Sequence, residues 1–244
     1  MTKAPARLTL TRTTGMTTTD EALYKLMTWL SPAYPVGAFS YSHGLEYAVE
    51  VRMVRDRDSL IRWLTTAIEV GGGHIGGALL AEAWRAAADA NAGKLEAVAA
   101  LAAAWRGTSE TALESEAQGA AFLSVTRAAW PHPLLDRLVL ERRGGPIALS
   151  VAVGATCACH GIALIPTLIA YLHSFASNLV SAGIRLIPLG QSDGQHAIAA
   201  LQPVIERSAR ATAEITLNEV GSAAPMLDWC SMRHELQHTR LFRS

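Results

Sequence analysis

The longest stretch without charge runs over residues 144–184, which contain no Asp, Glu, Lys or Arg. In its second half the apolar residues recur three and four positions apart, the spacing of one buried stripe on a helix. The members of that stripe are Ile165, Leu168, Ile169, Leu172, Phe175, Ala176, Leu179, Val180 and Gly183. The first half, residues 147–164, is apolar on nearly every side, so it predicts a helix surrounded either by protein or by lipid.

A membrane location is the alternative for this run. A spanning helix needs about 20 predominantly apolar residues, and two such segments fit within the run. His160, His173 and Asn178 would each cost free energy in hydrocarbon unless satisfied inside a bundle, and no Trp borders the run as an interfacial belt would require. We therefore expect the core of a protein with no membrane segment.

Helical spacing continues through the rest of the chain, and no stretch alternates as a strand does. Residues 18–21 fit a capping box, and Asp58 is placed to cap the next helix. Further helices are predicted over residues 78–90, 94–105, 108–130, 134–141, 195–208 and 209–220. The pattern predicts an all-α, single-domain bundle of about ten helices.

Composition narrows the choice of class. Lys and Arg number 21 and Asp and Glu number 21, so no basic excess suggests a nucleic acid or an anionic membrane as partner. Three cysteines, an odd number, favour a reducing, cytoplasmic environment over a disulfide framework. Residues 1–19 are rich in Thr and Arg without an acid, which we interpret as a disordered tail preceding a helical domain over residues 20–224. A transit peptide is the alternative for this segment.

Nucleotide and nucleophile motifs give little support to an enzyme. A phosphate loop needs Gly-Lys-Ser/Thr, and the single Gly-Lys, at Gly93, is followed by Leu95. Residues 71–77 (GGGHIGG) satisfy the dinucleotide-loop spacing but follow a helix instead of a strand, so they predict close helix packing. Ser40 and Ser42 lie near His43 without the setting of a nucleophile elbow.

Two sets of soft ligands are candidates for a metal. Cys157 and His160 share a helical face from which Cys159 points away, which favours a structural role. In the tail, residues 230, 234 and 238 fall at i, i+4 and i+8. This spacing places Cys230, His234 and His238 on one face if the tail is helical. We predict no resident metal, although this second set leaves nickel binding open.

Three blocks together resemble the UreF family of urease accessory proteins. Residues 31–46 (SPAYPVGAFSYSHGLE) resemble its N-terminal signature, and residues 171–195 (YLHSFASNLVSAGIRLIPLGQSDGQ) its central one. Residues 232–244 (MRHELQHTRLFRS) are similar to its C-terminal signature. Two positions depart from the family pattern: His238 stands where Tyr is usual, and His43 stands where Gln is frequent.

The resemblance implies a helical, non-enzymatic chaperone subunit that forms a homodimer and carries no cofactor. It would bind the accessory protein UreD (also called UreH) and the GTPase UreG, and together they would load nickel into apo-urease with GTP hydrolysis.

The resemblance also implies partner-binding residues. The arm over residues 225–244 would contact UreD through Glu235, Arg240, Leu241, Phe242 and Arg243. The surface facing UreG would be formed or supported by Tyr41, Gly44, Glu46, Arg185, Gln191, Asp193 and Gln195. Phe39 and Phe242 would be apolar anchors, and the helix around residues 174–181 would supply internal packing and dimer contacts. Arg185, Arg240 and Arg243 are interpreted as interface or structural charges, with an arginine finger as the alternative.

Overall fold

The computed structural model describes residues 18–105 and 107–243. Within these ranges the chain forms eleven α-helices, two short 3-10 helices and no β-strand. The α-helices are α1 Asp20–Trp29, α2 Leu45–Glu50, α3 Arg57–Glu69, α4 Gly72–Ala88, α5 Ala92–Ala104, α6 Ser109–Ala129, α7 Pro133–Glu141, α8 Leu149–Cys159, α9 Leu164–Leu186, α10 Gln191–Glu214 and α11 Pro225–His234. The 3-10 helices are Ala38–Ser40 and Leu217–Glu219. The all-α class and the count of about ten helices are confirmed.

The uncharged run forms α8 and α9, as its pattern predicts. Every residue of α8 from Ser150 to Cys157 is buried, and α8 packs against α4 and α6. Glycine makes both contacts close: a Cβ at Gly154 would clash with the carbonyl oxygen of Leu80, and one at Gly119 with that of Ile147. An all-round apolar helix is therefore accommodated by small residues on its neighbours and on itself.

Helix α9 presents one buried face, toward α10 and α4. Leu168, Leu172 and Leu179 of the predicted stripe are fully buried, whereas Ile165 and Phe175 are only half-buried. By length and composition alone α9 could cross a bilayer, and a third of its most apolar window is buried.

Two helix starts differ from prediction. The N-cap of α1 is Thr19, whose side chain accepts from the amide of Ala22, so the box predicted over residues 18–21 is absent. The N-cap of α3 is Asp56 instead of Asp58. In α1, Leu23 and Met27 are exposed. The helix starts lie in runs of Thr or Asp that offer neighbouring caps, and a change of cap shifts the helix by one or two residues.

The largest difference lies in the last quarter of the chain. Residues 191–214 form one helix, α10, where two were predicted, and Pro203 lies inside it. The buried face of α10 continues past the proline through Val204, Ile205 and Ala209, so packing sustains the helix despite the missing N–H.

Close packing at residues 71–77 is confirmed. A Cβ on Gly76 would lie 2.5 Å from the hydroxyl of Tyr171 on α9, and one on Gly77 would lie 2.9 Å from Oγ1 of Thr212 on α10. These glycines therefore let α4 lie against α9 and α10.

Candidate protein-binding site

The N-terminal signature forms a loop that turns twice through the left-handed region. Gly37 has φ of 75°, and His43 and Gly44 follow with φ of 54° and 73°. These turns bury Tyr41 and present Glu46, on the first turn of α2, to the interior. Phe39, 69% exposed at the centre of the 3-10 helix, projects from this loop into solvent.

Glu46 binds the end of the C-terminal arm. Its Oε1 accepts from the amide of Leu241 at 2.6 Å, and its Oε2 accepts from the amide of Phe242 at 2.9 Å. The carboxylate is largely buried, so these charge-assisted bonds are made in a region of low dielectric. The amide of Arg243 donates to the carbonyl of Ser40 at 2.8 Å, which extends the same attachment along the loop.

Helix α11 reaches α2 because residue 44 has no side chain. A Cβ on Gly44 would lie 2.6 Å from the amide nitrogen of Ser231. The hydroxyls of Ser231 and Thr108 lie 2.8 Å apart, so the start of α6 joins the same contact. The sulfur of Cys230 lies 4.0 Å from that of Met53.

A second carboxylate, Glu110 on α6, completes the attachment of the arm. Its Oε1 lies 2.7 Å from Nη1 of Arg240, and its Oε2 lies 2.8 Å from Nδ1 of His234. Next to it, the hydroxyl of Ser109 donates to Glu235 at 2.7 Å. Three of the residues predicted from the C-terminal signature or the tail are thus paired with the start of α6.

Arg185, in the last turn of α9, joins the central block to the other two. Its guanidinium carbon lies 4.3 Å from the centroid of the Phe242 ring, and Nη2 donates to the carbonyl of Phe39 at 2.9 Å. Nε donates to the carbonyl of Ser181. Burial lowers the pKa of this guanidinium from its usual value, which leaves it a cation at neutral pH.

The remaining predicted residues of the central signature, Gln191, Asp193 and Gln195, lie at the N-terminus of α10. Asp193 accepts from the amide of Gly190 at 3.1 Å and pairs with Arg57 at 3.3 Å. Gln191 and Gln195, in the same two turns, are exposed. This group is held by the start of α3, while the arm is held by α2 and α6.

The structure therefore divides the predicted partner-binding residues by exposure. Tyr41, Glu46 and Phe242 are buried inside the chain, the last with 3% of its surface exposed. Residues with exposed side chains are Phe39, Arg185, Gln191, Gln195, Glu235, Arg240, Leu241 and Arg243. Glu46, one of the buried members, holds the backbone of the arm on which Arg240, Leu241 and Arg243 are exposed.

A cleft of about 570 Å³ lies beside Phe39. The signature loop, α6 and the outer face of α9 form its walls, and Trp29 and Phe175 are among its aromatic linings. At its polar side Nε2 of His43 lies 2.9 Å from Oε1 of Glu114, and the imidazole packs edge-on against Phe175.

The structure bears on both candidate sets of metal ligands. Burial raises the pKa of the Cys157 thiol to about 12 and that of Cys159 to about 11, so both thiols are protonated at neutral pH. Helix α11 ends at His234, so His238 lies beyond the face that Cys230 and His234 share. Across residues 18–105 and 107–243 no three His, Cys, Asp or Glu side chains are grouped to hold a metal ion.

Sequence reasoning missed Glu110 and Thr108. Both lie at the start of α6, more than 120 residues before their partners in α11. A carboxylate two residues after a cap looks like an ordinary helix-dipole partner, so no local signal distinguishes Glu110.

Comparison with known proteins assigns the class, that of accessory proteins that act in urease maturation. The family model described as UreF matches residues 54–202. Urease accessory protein UreF of Granulibacter bethesdensis is 51% identical over 227 residues, which cover 93% of this chain and 96% of the relative. The chain belongs to the UreF family.

Further relatives agree. Urease accessory protein UreF of Rhodopseudomonas palustris is 50% identical, covering 91% of each chain. The protein of the same name from Bradyrhizobium diazoefficiens is 45% identical, covering 91% of this chain and 92% of its own. The family assignment implies an accessory role instead of an enzymatic one.

Proposed function

We propose that this chain is the chaperone subunit that bridges UreD and the GTPase UreG during insertion of nickel into apo-urease in the cytoplasm. The chain would supply contacts and no chemical step, since hydrolysis of GTP belongs to UreG. The observation that supports the proposal is the attachment of the arm by Glu46 and Glu110. It holds Leu241, with 63% of its surface exposed, and the nearby Arg240 and Arg243 in fixed positions on the body.

The arm over residues 225–244 is proposed as the UreD contact. Leu241 supplies an exposed apolar side chain on a backbone fixed by Glu46, and such an anchor loses little freedom on binding. Affinity capture of UreD by the full chain and by a chain ending at Ala224 tests this proposal. We expect the shorter chain to lose UreD.

A point substitution tests the same contact without removing the arm. Leu241→Asp places a charge in the proposed interface, whereas Leu140→Asp places the same charge on α7, at a side chain that is 73% exposed. Capture of UreD should fall about tenfold or more for the first and stay unchanged for the second. Equal capture by both variants would remove the arm from the UreD interface.

The start of α10 is proposed as part of the surface for UreG. Gln191 and Gln195 are exposed on a helix start that Asp193 and Arg57 hold in place. Gln195→Arg should weaken capture of UreG by the complex with UreD, whereas Gln202→Arg, on the same helix but farther along it, should not. If both variants capture UreG as the parent does, this surface faces something else.

Arg185 and Arg240 are proposed as structural cations instead of arginine fingers. Arg185 is engaged by the carbonyl of Phe39 and the ring of Phe242, and Arg240 by Glu110. Alanine at Arg185, Arg240 or Arg243 should leave GTP turnover by an assembled complex unchanged per complex formed. A loss of turnover in a fully assembled complex would favour the finger.

A homodimer is proposed through α1 and the outer face of α9. On α1 the side chains of Leu23, Tyr24 and Met27 are more than half exposed, and the cleft lies between the end of this helix and α9. Covering this face with a second copy would remove it from water. Sedimentation should give a dimer for the parent and for Leu140→Asp, and a monomer for Met27→Asp.

A further inference from the structure

The side chain of His234 lies fully buried between two carboxylates. Its Nε2 is 3.1 Å from Oε2 of Glu46 on α2, and its Nδ1 is 2.8 Å from Oε2 of Glu110 on α6. Both carboxylate side chains are 10% exposed. The ring therefore has a carboxylate oxygen at hydrogen-bond distance from each of its nitrogens.

When both carboxylates are ionised, only one protonation state of the ring suits this arrangement. An ionised carboxylate accepts hydrogen bonds and cannot donate them, and a neutral imidazole has one N–H and one lone pair. A neutral ring would direct its lone pair at a carboxylate oxygen about 3 Å away in a buried site, where an unmade bond is costly. The doubly protonated ring donates to both. We propose that His234 is a buried imidazolium and that its charge fastens the C-terminal arm to the body.

The charges around the ring support this assignment. The charged side chains that face the His234 ring are Glu46 from α2 and Glu110 from α6, and Arg240 from the arm lies on the far side of Glu110. With an imidazolium the group contains two anions and two cations. Without it, two carboxylates would share the single cation of Arg240, and a buried charge would be uncompensated.

Each carboxylate that contacts the ring also binds the arm directly. Glu46 also binds the amides of Leu241 and Phe242, and Glu110 also binds Arg240, so these arm contacts depend on carboxylates that His234 orients. His234 is thus a positioning residue. On the proposed function, the arm that it fastens is the contact for UreD. Removal of this cation by substitution should release the arm and lower the affinity for UreD.

Nuclear magnetic resonance of the full chain, labelled with nitrogen-15 histidine, tests the protonation state without any partner. His234→Gln assigns the resonances of this ring among those of eight histidines, and His238→Gln, at an exposed side chain, assigns a matched control. At neutral pH we expect a bound proton on both nitrogens of His234 and solvent exchange at His238. One protonated nitrogen and one bare nitrogen at His234 would overturn the proposal.

Glu110→Gln provides a second test in a chain that keeps the ring. The side-chain amide that this substitution introduces can donate to Nδ1, so a neutral ring becomes satisfied. At neutral pH we therefore expect a bound proton on Nε2 alone. A ring that still carries a proton on both nitrogens would overturn the proposal, because Glu110 would then not hold the second proton.

Capture of UreD by the parent and by His234→Gln at neutral pH separates this proposal from the proposed function. His234→Gln should capture about tenfold less UreD than the parent. If His234→Gln captures UreD as the parent does, the fastening role is wrong. If the parent does not capture UreD, the proposed function fails while the resonance result stands on its own.

Discussion

Substitution of Gly44 by alanine tests how closely α2 and α11 approach each other. A Cβ there would lie 2.6 Å from the amide nitrogen of Ser231 and 2.9 Å from the carbonyl carbon of Cys230, and both are backbone atoms that cannot rotate away. Residue 44 also has φ of 73°, in the left-handed region. Gly44→Ala therefore combines two penalties, and the chain provides a control for one of them.

The control is Gly37→Ala. Gly37 has nearly the same φ, 75°, but a Cβ there would meet no atom within 4 Å. The left-handed conformation costs an alanine about 1–2 kcal/mol at either position. The reduced entropy of the unfolded chain is also common to both variants. The difference between them isolates the steric overlap, for which about 1–3 kcal/mol is expected.

Thermal unfolding followed by far-ultraviolet circular dichroism measures this difference. For a chain of this size 1 kcal/mol corresponds to about 2–4 °C in Tm, so Gly44→Ala should melt about 2–12 °C below Gly37→Ala. Equal melting temperatures would show that α11 does not lie against α2 at this distance. The attachment of the arm described above would then be wrong as well.

Three further measurements test other parts of the structure. Phe122→Ala, at a fully buried side chain, should lower the free energy of unfolding by about 3–5 kcal/mol, whereas exposed Leu140→Ala should change it by less than about 0.5 kcal/mol. Hydrogen bonds from the Ser59 hydroxyl and amide lower the pKa of Asp56 from its ordinary value. The stabilisation that ionised Asp56 gives the fold is therefore present above its unfolded-state pKa and is lost as pH falls through its folded-state pKa. Denaturant titrations should show a smaller acid-induced loss of unfolding free energy for Asp56→Asn than for the parent. Burial raises the thiol pKa values of Cys157, Cys159 and Cys230 to about 11 or 12. A thiolate-specific reagent should therefore label the native chain slowly, and the unfolded chain should react with three equivalents.

The all-α fold was predictable because its strongest signal is periodic. Residues 144–184 lack charge over a length that two helices need, and the apolar spacing within them specifies which side of α9 is buried. The faces of shorter helices were less certain. In α1, Leu23 and Met27 fit a helical stripe as well as Ala22 and Trp29 do, and only the neighbouring helices decide which pair is buried.

The continuity of α10 shows why a local rule can fail. Pro203 removes a hydrogen-bond donor inside the predicted helix over residues 195–208, and the boundary predicted after residue 208 is absent from the structure. Burial continues across it from Leu201 to Val204 and Ile205, so the contacts with α9 and α3 offset the lost bond. Those contacts come from distant parts of the chain, and the local sequence does not encode them.

The candidate site was predictable only in part, for a related reason. Family signatures identified residues near positions 40, 185 and 240, and the structure brings them together through Arg185, which contacts both Phe39 and Phe242. Glu110 carries no signature, yet it pairs with Arg240 and His234. A pairing partner more than 120 residues away has no constraint on its local sequence beyond being acidic.

Histidine spacing in the tail illustrates the limit of a motif without its surroundings. Cys230 and His234 do share a face of α11, as the i, i+4 spacing requires. A metal ligand must keep one nitrogen lone pair available, and both nitrogens of His234 are instead bonded to carboxylates. The spacing that indicates a metal site therefore serves here to place the cation of His234 between Glu46 and Glu110. Whether a histidine at this spacing binds a metal or pairs with carboxylates is determined by its neighbours and not by the histidine itself.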